Sequence, residues 1–213
     1  MRGINRLKVY LGQIPKALSH FAPYRPFEGG QSHLDEQYRS GEWDYLRAPP
    51  EAPRFGVVSA YCSQFATGGD MLEVGCGDGN LFEYLNRARI GSFLGVDISP
   101  VAIARTRALQ DARASFEVGP AETFTTERRF DVIVFNEVME YFADPLEVAR
   151  RYEAMLKSGG VFIISMFDGL DIARAQRIWK TLKPFYQIEA AAGVTTVPGY
   201  RWRIKVLKPR GAD

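Results

Sequence analysis

The sequence has few of the residues that build disulfide frameworks or metal centres. Its 213 residues include two cysteines, Cys62 and Cys76, and two histidines, His20 and His33. Two cysteines and two histidines are too few for a multi-disulfide scaffold or a Cys/His zinc site, so we assign no metal ligand. The low cysteine content also leads us to expect a reducing, cytoplasmic location. Hydrophobic residues make up 46% of the chain and charged residues 24%. Such a composition is typical of a globular protein with a sizeable core.

Long apolar runs and clustered positive charge are also missing. No run approaches the ~20 apolar residues of a membrane span, and Lys8, Gln13 and Lys16 interrupt the apolar stretches near the start, which argues against a signal peptide. The net charge of +2, with scattered arginines, argues against a nucleic-acid partner. Residues 1–22 have an amphipathic pattern that predicts a lid helix or a dimer helix, in a monomer or homodimer; weak peripheral membrane contact is the alternative.

A glycine-rich turn is the most informative stretch of the chain. The apolar run 71–74 is followed by Gly75, Gly77 and Gly79, and then by apolar residues at helical spacing. This pattern predicts a buried strand, a tight loop and a helix, with glycines that let a ligand approach the backbone. Asp97 ends the next apolar strand, 22 positions after Gly75. An acid at that place binds the ribose diol in nucleotide-binding sheets, so we expect an adenosine-containing ligand.

The turn differs from the dinucleotide fingerprint G-x-G-x-x-G. Its third glycine comes one residue early, and Glu73 stands before the first glycine. A carboxylate is unfavourable beside a pyrophosphate and favourable beside an ammonium group. The pattern therefore argues against a nicotinamide-dependent oxidoreductase. That activity is the alternative function, together with a non-catalytic cofactor-binding module.

Strands and helices alternate along the rest of the sequence. Strands are predicted at 71–74, 92–97, 114–118, 130–135, 161–166, 185–192 and 200–207, and helices at 54–65, 79–88, 100–111, 145–157 and 170–182. The last two strands have no helix between them, so they are expected to pair as a hairpin. The predicted fold class is α/β: a doubly wound, seven-stranded, mainly parallel sheet with a C-terminal antiparallel hairpin and an N-terminal helical cap. We divide the chain into a cap, 1–53, and a cofactor-binding domain, 54–213.

Four motifs, in order and at ordinary spacings, resemble those of class I S-adenosylmethionine-dependent methyltransferases. They are L-E-V-G-C-G-D-G-N-L, G-V-D-I-S-P, F-D-V-I-V-F-N-E-V-M-E-Y and L-K-S-G-G. Within the class, the chain is similar to the small-molecule branch that includes the ubiquinone-biosynthesis O-methyltransferase. The sugar N-methyltransferases of nodulation-factor synthesis have a similar aromatic entry segment. The resemblance implies S-adenosylmethionine as cofactor and methyl transfer to an oxygen or nitrogen of a small molecule, such as a quinone, phenol or sugar.

The resemblance also implies which residues hold the cofactor. Glu73 and the backbone of Gly75, Cys76 and Gly77 are expected at its methionine part, where Cys76 contributes backbone and not its thiol. The remaining assignments are Asp97 to both ribose hydroxyls, Ile98 to the adenine, Asn136 to the methionine end and Arg54 to the carboxylate, where an exposed arginine at the helix start is the alternative. The residues themselves predict that the aromatic and charged segment 31–47 either covers the cleft, with Tyr38 at the cofactor, or is a surface loop packed on the first helix.

Two motifs depart from the pattern of the family. Many relatives have G-D-A-E where this chain has Gly119-Pro120-Ala121-Glu122. Ala121 still offers its N–H to the adenine, and Glu122 either replaces the missing acid or simply starts the next turn. Relatives often have a histidine where this chain has Tyr141. His33, beside the expected cap, Glu137 and Tyr141 are therefore the candidates for a catalytic base, with Glu140 as a further competitor.

Overall fold

The computed structural model describes residues 30–168, 172–197 and 199–211. The predicted N-terminal helix at 1–22, the connector up to residue 29, and Pro198 of the predicted hairpin turn lie outside the described residues. Among those described, no helix is long and apolar enough to cross a membrane.

A seven-stranded sheet in the order β3-β2-β1-β4-β5-β7-β6 forms the centre of the molecule. The strands are β1 Asp70–Val74, β2 Ser92–Asp97, β3 Ala114–Val118, β4 Phe130–Asn136, β5 Leu156–Phe167, β6 Tyr186–Thr195 and β7 Arg201–Pro209. The first five pair in parallel, and β7 pairs antiparallel with both β5 and β6. This arrangement confirms the predicted fold class. The strand order reverses between β1 and β4, and in open α/β sheets ligands bind at that point, beyond the carboxyl ends of the strands.

Helices cover both faces of the sheet. They are α1 Gly30–Ser40, α2 Ala52–Phe65, α3 Asn80–Tyr84, α4 Pro100–Arg105, α5 Pro145–Glu153 and α6 Ile172–Leu182. Two of them begin where the sequence supplies a cap followed by proline. Ser99 Oγ accepts a hydrogen bond from the Ala102 amide at the start of α4, and the Asp144 carboxylate accepts two backbone hydrogen bonds at the start of α5.

Several helices are shorter than the sequence pattern predicted. The helix after the glycine loop ends at Tyr84 because Leu85 adopts an extended backbone and is buried. The helix at 100–111 stops at Arg105 and continues only as a 3₁₀ turn, Thr106–Leu109. Segment 157–160, predicted to close a helix, instead belongs to β5, where the Lys157 ammonium group contacts Asp70 and Asp131 at 2.7 and 2.8 Å.

The first full helix of the sheet domain buries more residues than its apolar pattern predicts. That pattern predicts Val57, Val58, Tyr61 and Phe65 as the inward face, and all four pack in or against the core. Phe55 and Cys62 are buried as well, almost completely, whereas Val57, Tyr61 and Phe65 are half-buried. Arg54 is also buried, so the start of α2 packs against the loops at the strand ends. The helix begins at Ala52, so the proposed boundary between residues 53 and 54 falls within it.

Candidate active site

A cavity of about 240 Å³ opens at the carboxyl ends of β1, β2 and β4. It brings together all the residues assigned to the cofactor from the sequence, which are Tyr38, Arg54, Glu73, Gly75, Cys76, Gly77, Asp97, Ile98, Ala121, Glu122 and Asn136. Glu137 and Tyr141 line the same cavity. The cavity therefore lies at the switch point of the sheet, where a ligand is expected.

The glycine loop is tied to the end of β2 through Asp97. The Gly77 amide donates to Asp97 Oδ2 at 2.9 Å, and the Ser99 amide donates to Oδ1 at 2.8 Å. Burial nevertheless raises the pKa of Asp97, because desolvation outweighs these two hydrogen bonds. A neutral ligand hydroxyl that donates to this carboxylate would replace part of the lost hydration.

Glu73 presents a buried carboxylate at the end of β1. The side chain is 2% exposed, and its Oε2 has no hydrogen-bond partner among the residues that the structure describes. Burial raises the pKa of Glu73 well above its usual range, against the opposing effects of a hydrogen bond with Asn136 and the positive charge of Arg54. A cation at this position would stabilise the carboxylate, because a buried unpaired charge is costly.

Asn136 joins Glu73 to Arg54. Arg54 Nη1 donates to Asn136 Oδ1 at 2.5 Å, and Ser165 Oγ donates to the same oxygen at 2.7 Å. With two donors on its oxygen, Asn136 turns its amide NH₂ toward Glu73. Arg54 Nη2 donates to Glu51 at 3.3 Å, whereas Arg54 Nε has no hydrogen-bond partner in the described part of the chain. An unsatisfied donor and an unsatisfied acceptor on two cavity residues match a ligand that has both a carboxylate and an ammonium group.

The segment after residue 30 closes the cavity on the β2 side. Tyr38 and Trp43 stack with ring centres 5.9 Å apart, and both line the cavity. Helix α1 is held by Ser99 Oγ, which donates to buried Asp35 at 2.5 Å, and by the Arg105 guanidinium, which donates to the Tyr38 carbonyl. Residues 30–47 are thus a docked cap over the glycine loop.

The loop after β4 lines the other end of the cavity. Glu137 has φ 62°, and it is the one non-glycine residue with positive φ among those that the structure describes. Its amide donates to the Ser165 carbonyl at 3.1 Å, and Ser165 Oγ lies 3.3 Å from Glu137 Oε1. Strained backbone of this kind persists where the surroundings enforce it and is common at functional sites. Glu140, 6% exposed, and Tyr141 complete this wall.

Not all of the candidates for the catalytic base line the cavity. Glu137, Glu140 and Tyr141 line the cavity, but His33 lies on the exposed side of α1 and is not among the lining residues. The residues of α1 that face the cavity are Gly30, Leu34 and Tyr38, which share one helical face. Cys76 is buried, and burial raises the pKa of its thiol, which disfavours the nucleophilic thiolate.

Sequence reasoning missed several polar residues that hold the site together. Asp78 is 3% exposed and binds Arg47 of the cap segment at 2.7 Å, and its place inside the glycine loop was a usable signal. The sequence Ser99-Pro100 predicts a helix cap but not the second hydrogen bond of Ser99, to Asp35. Asp35 and Ser165 had no local signal, because their partners are far away in the sequence.

Comparison with known proteins agrees with this geometry. The model of a family described as "Methyltransferase domain" matches residues 45–191. The chain is 30% identical over 137 residues to trans-aconitate 2-methyltransferase of Methylobacterium radiotolerans, a match that covers 64% of this chain and 46% of that protein. It is 33% identical over 107 residues to the ubiquinone biosynthesis O-methyltransferase of Xanthomonas campestris pv. campestris, covering 47% of this chain and 44% of that one. The chain thus spans less than half the length of these relatives.

The fold is also found in a solved structure of low sequence identity. The N-methyltransferase NodS from Bradyrhizobium japonicum, in complex with S-adenosyl-L-homocysteine, superposes with a TM-score of 0.71 at 18% identity. The alignment covers 86% of this chain and all of the other. At this level of identity the likeness concerns the fold alone.

Proposed function

The chain belongs to the methyltransferase-domain family of class I, S-adenosylmethionine-dependent enzymes, and from this we propose that it transfers a methyl group from S-adenosylmethionine to an oxygen or nitrogen of a small-molecule acceptor. The observation that carries the proposal is the unsatisfied buried pair in the cavity, Glu73 Oε2 and Arg54 Nε. The pair is complementary to the amino-acid end of that cofactor, and Asp97 is in place for a ribose diol.

The residues of this chain would bind and orient the cofactor as follows. Glu73 would accept from its ammonium group, Arg54 Nε would donate to its carboxylate, and Asp97 would accept from the ribose hydroxyls. Ile98 would pack on the adenine, with the Ala121 amide and Glu122 at its polar edge.

When bound, the cofactor supplies an electrophilic methyl group on a sulfonium. The protein's contribution is alignment, which can lower a barrier by ~7–11 kcal/mol, and removal of a proton from the acceptor, which adds roughly 10²–10⁴-fold. Glu137 and Tyr141 are the proposed groups for that proton, since they line the cavity beyond Asn136. His33 is exposed on α1, so we give it no role in the transfer. The cap 30–47 would exclude water from the reacting atoms.

Calorimetry with S-adenosylhomocysteine tests the cofactor part of the proposal. We expect binding to the wild type and a loss of at least ~10-fold for Asp97→Ala and for Glu73→Gln, because each removes a charge-assisted hydrogen bond. Glu117→Gln, an exposed glutamate on β3 outside the cavity, is the matched control and should bind as the wild type does. Absence of binding at 1 mM, or equal binding by all four proteins, would refute the proposal.

A further inference from the structure

A second cavity, of about 170 Å³, lies at the edge of the sheet, between helix α6 and strands β6 and β7. It shares no described lining residue with the candidate active site. Three lysines line it together with apolar and aromatic side chains, and no carboxylate is among its described lining residues. Its lining is therefore positively charged on an apolar ground.

The three lysines reach this cavity from two elements of the fold. Lys180 and Lys183 are three positions apart at the end of α6, where the Lys183 amide donates to the Trp179 carbonyl at 3.0 Å and continues the last turn. Side chains at this spacing lie on the same side of a helix. Lys205 comes from β7, and its Nζ is 4.2 Å from the centre of the Trp179 ring. Three ammonium groups thus converge around one tryptophan.

Carboxylates of the surrounding elements do not neutralise these lysines. None of the three forms an ion pair with a residue that the structure describes. Asp168 accepts a hydrogen bond from Arg203 at 2.7 Å, and Glu153 accepts one from the Tyr186 hydroxyl. Two carboxylates of this region are therefore engaged with other groups.

Lys205 is the least solvated of the three lysines. It belongs to an inner strand, is half-buried, and lies opposite Ile164 of the core. Burial lowers the pKa of Lys205, and the positive charges of Arg203 and Lys183 lower it further. An anion in the cavity would offset this repulsion and stabilise the ammonium form.

Apolar surface and an unsatisfied donor accompany the lysines. Ile188 is 51% exposed and lies opposite Leu207 in the pairing of β6 with β7, and both line the cavity. Trp179 is 7% exposed, and its indole Nε1 has no hydrogen-bond partner in the described part of the chain. Buried donors are normally paired. A ligand with oxygen acceptors on an apolar body matches all of these groups.

We propose that this cavity is a binding site for an anionic amphiphile, a carboxylate or phosphate monoester on an apolar body. The anion lies at Lys180, Lys183 and Lys205, and the body lies against Ile188 and Leu207. An engineered cavity of about 150 Å³ binds benzene, so a body of about six carbons fits this one. An acid dissolved in the medium and the headgroup of an anionic lipid both offer this chemistry. The site is independent of the proposed methyl transfer.

The three tryptophans of the chain make binding at this site observable by NMR. On titration with hexanoate, we expect a saturable shift of the Trp179 indole N–H signal, which is assigned by its loss in Trp179→Phe. The signals of Trp43, which lines the candidate active site, and of Trp202, near Arg54, report binding at the other cavity. 1-Hexanol and hexylammonium have the same body without a negative charge and should bind at least ~10-fold more weakly, as charge-assisted contacts imply.

Substitutions connect the anion to the lysines. Lys183→Gln and Lys205→Gln should each weaken hexanoate binding by about threefold or more, and Ile188→Asp, at an exposed position, should abolish it. Lys208→Gln removes the same charge from an exposed residue of β7 outside the cavity, and it should bind as the wild type does. Urea denaturation verifies that each variant is folded.

Three results would overturn the proposal. They are the absence of a Trp179 shift at ~20 mM hexanoate, far above a millimolar Kd, an equal shift with hexylammonium, and an equal loss of binding in Lys208→Gln. Sedimentation with vesicles of phosphatidylcholine and about one third phosphatidylglycerol then distinguishes the sources of the anion. More sedimentation of the wild type and Lys208→Gln than of Lys205→Gln assigns a lipid headgroup, and equal sedimentation of the three proteins assigns a dissolved acid.

Discussion

The contact between the glycine loop and the cap can be tested with one added methyl group. Gly77 has φ +55°, and a Cβ built there would lie 2.6 Å from the Tyr38 hydroxyl oxygen and 3.7 Å from the carbon that bears it. Gly77→Ala therefore forces either the loop or the cap to move by at least 0.4 Å, the difference between 2.6 Å and the 3.0 Å floor of real contacts. Neither moves easily, because the Gly77 amide is bonded to Asp97 and the Tyr38 carbonyl to Arg105.

The expected cost has two parts that a double-mutant cycle separates. A left-handed conformation costs alanine about 1–2 kcal/mol, and overpacking a buried contact adds typically 1–3 kcal/mol. Tyr38→Phe removes the hydroxyl and leaves the nearest ring atom at an ordinary 3.7 Å. Gly77→Ala should therefore lower the free energy of unfolding by about 2–5 kcal/mol with Tyr38 present and by about 1–2 kcal/mol in the Tyr38→Phe background.

Urea denaturation of the four proteins measures both values, and calorimetry with S-adenosylhomocysteine follows the site. Gly68→Ala is the matched control, since Gly68 has φ +67° with nothing within 4 Å of an added Cβ, so it reports the conformational cost alone. An equal cost of Gly77→Ala in both backgrounds would mean that Tyr38 does not pack on the loop, and the docked cap would be wrong.

Three further predictions concern the carboxylates of the site. Burial raises the folded-state pKa of Glu73 above its usual 4.5, so the folded protein holds that proton more tightly and loses this stabilisation as pH rises from 4.5 through the raised pKa. In urea titrations, Glu73→Gln should thus gain stability over the wild type across that pH window, by up to about 1.4 kcal/mol per pH unit; a constant difference from pH 4.5 upward would contradict this. Asp97→Asn should weaken S-adenosylhomocysteine binding by ~10-fold or more in calorimetry while the protein stays folded by circular dichroism, and unchanged affinity would exclude Asp97 as the ribose ligand. Glu137→Gly should be more stable than Glu137→Ala by about 1 kcal/mol in urea, because glycine tolerates φ 62°, and the reverse order would refute strain at this residue.

The sequence predicted the parallel core, and it also predicted residues that line one cavity at the strand ends, for a local reason. Buried parallel strands appear as short apolar runs, and the residues at their carboxyl ends converge at one edge of the sheet. Asp97 and Asn136 could thus be placed from strand ends alone. The periodicity also predicted helices at α3 and α4, but it could not locate where they end, because Leu85 leaves the helix to satisfy the core.

The hydrogen-bonded pairs that hold the site together could not be predicted from local sequence patterns. Asp35 and Ser99 are 64 positions apart, and Arg54 and Asn136 are 82 apart. Such pairs depend on how elements pack in space. His33 shows the same limit, because only the orientation of α1 in space decides which residues of that helix face the cavity.

The position of β7 has a consequence for how the chain acquires its site during synthesis. This strand is made last among the seven, yet it lies inside the sheet between β5 and β6, and its Trp202 indole stands 5.9 Å from the Arg54 guanidinium. A nascent chain that has not reached residue 201 exposes the edge of β5, leaves β6 without its partner, and lacks one wall around Arg54. Long-range pairing of this kind is slow to form and open to wrong association while it is incomplete. A chaperone that shields the edge of β5 until residues 201–209 leave the ribosome would therefore act at the step where this protein is most vulnerable.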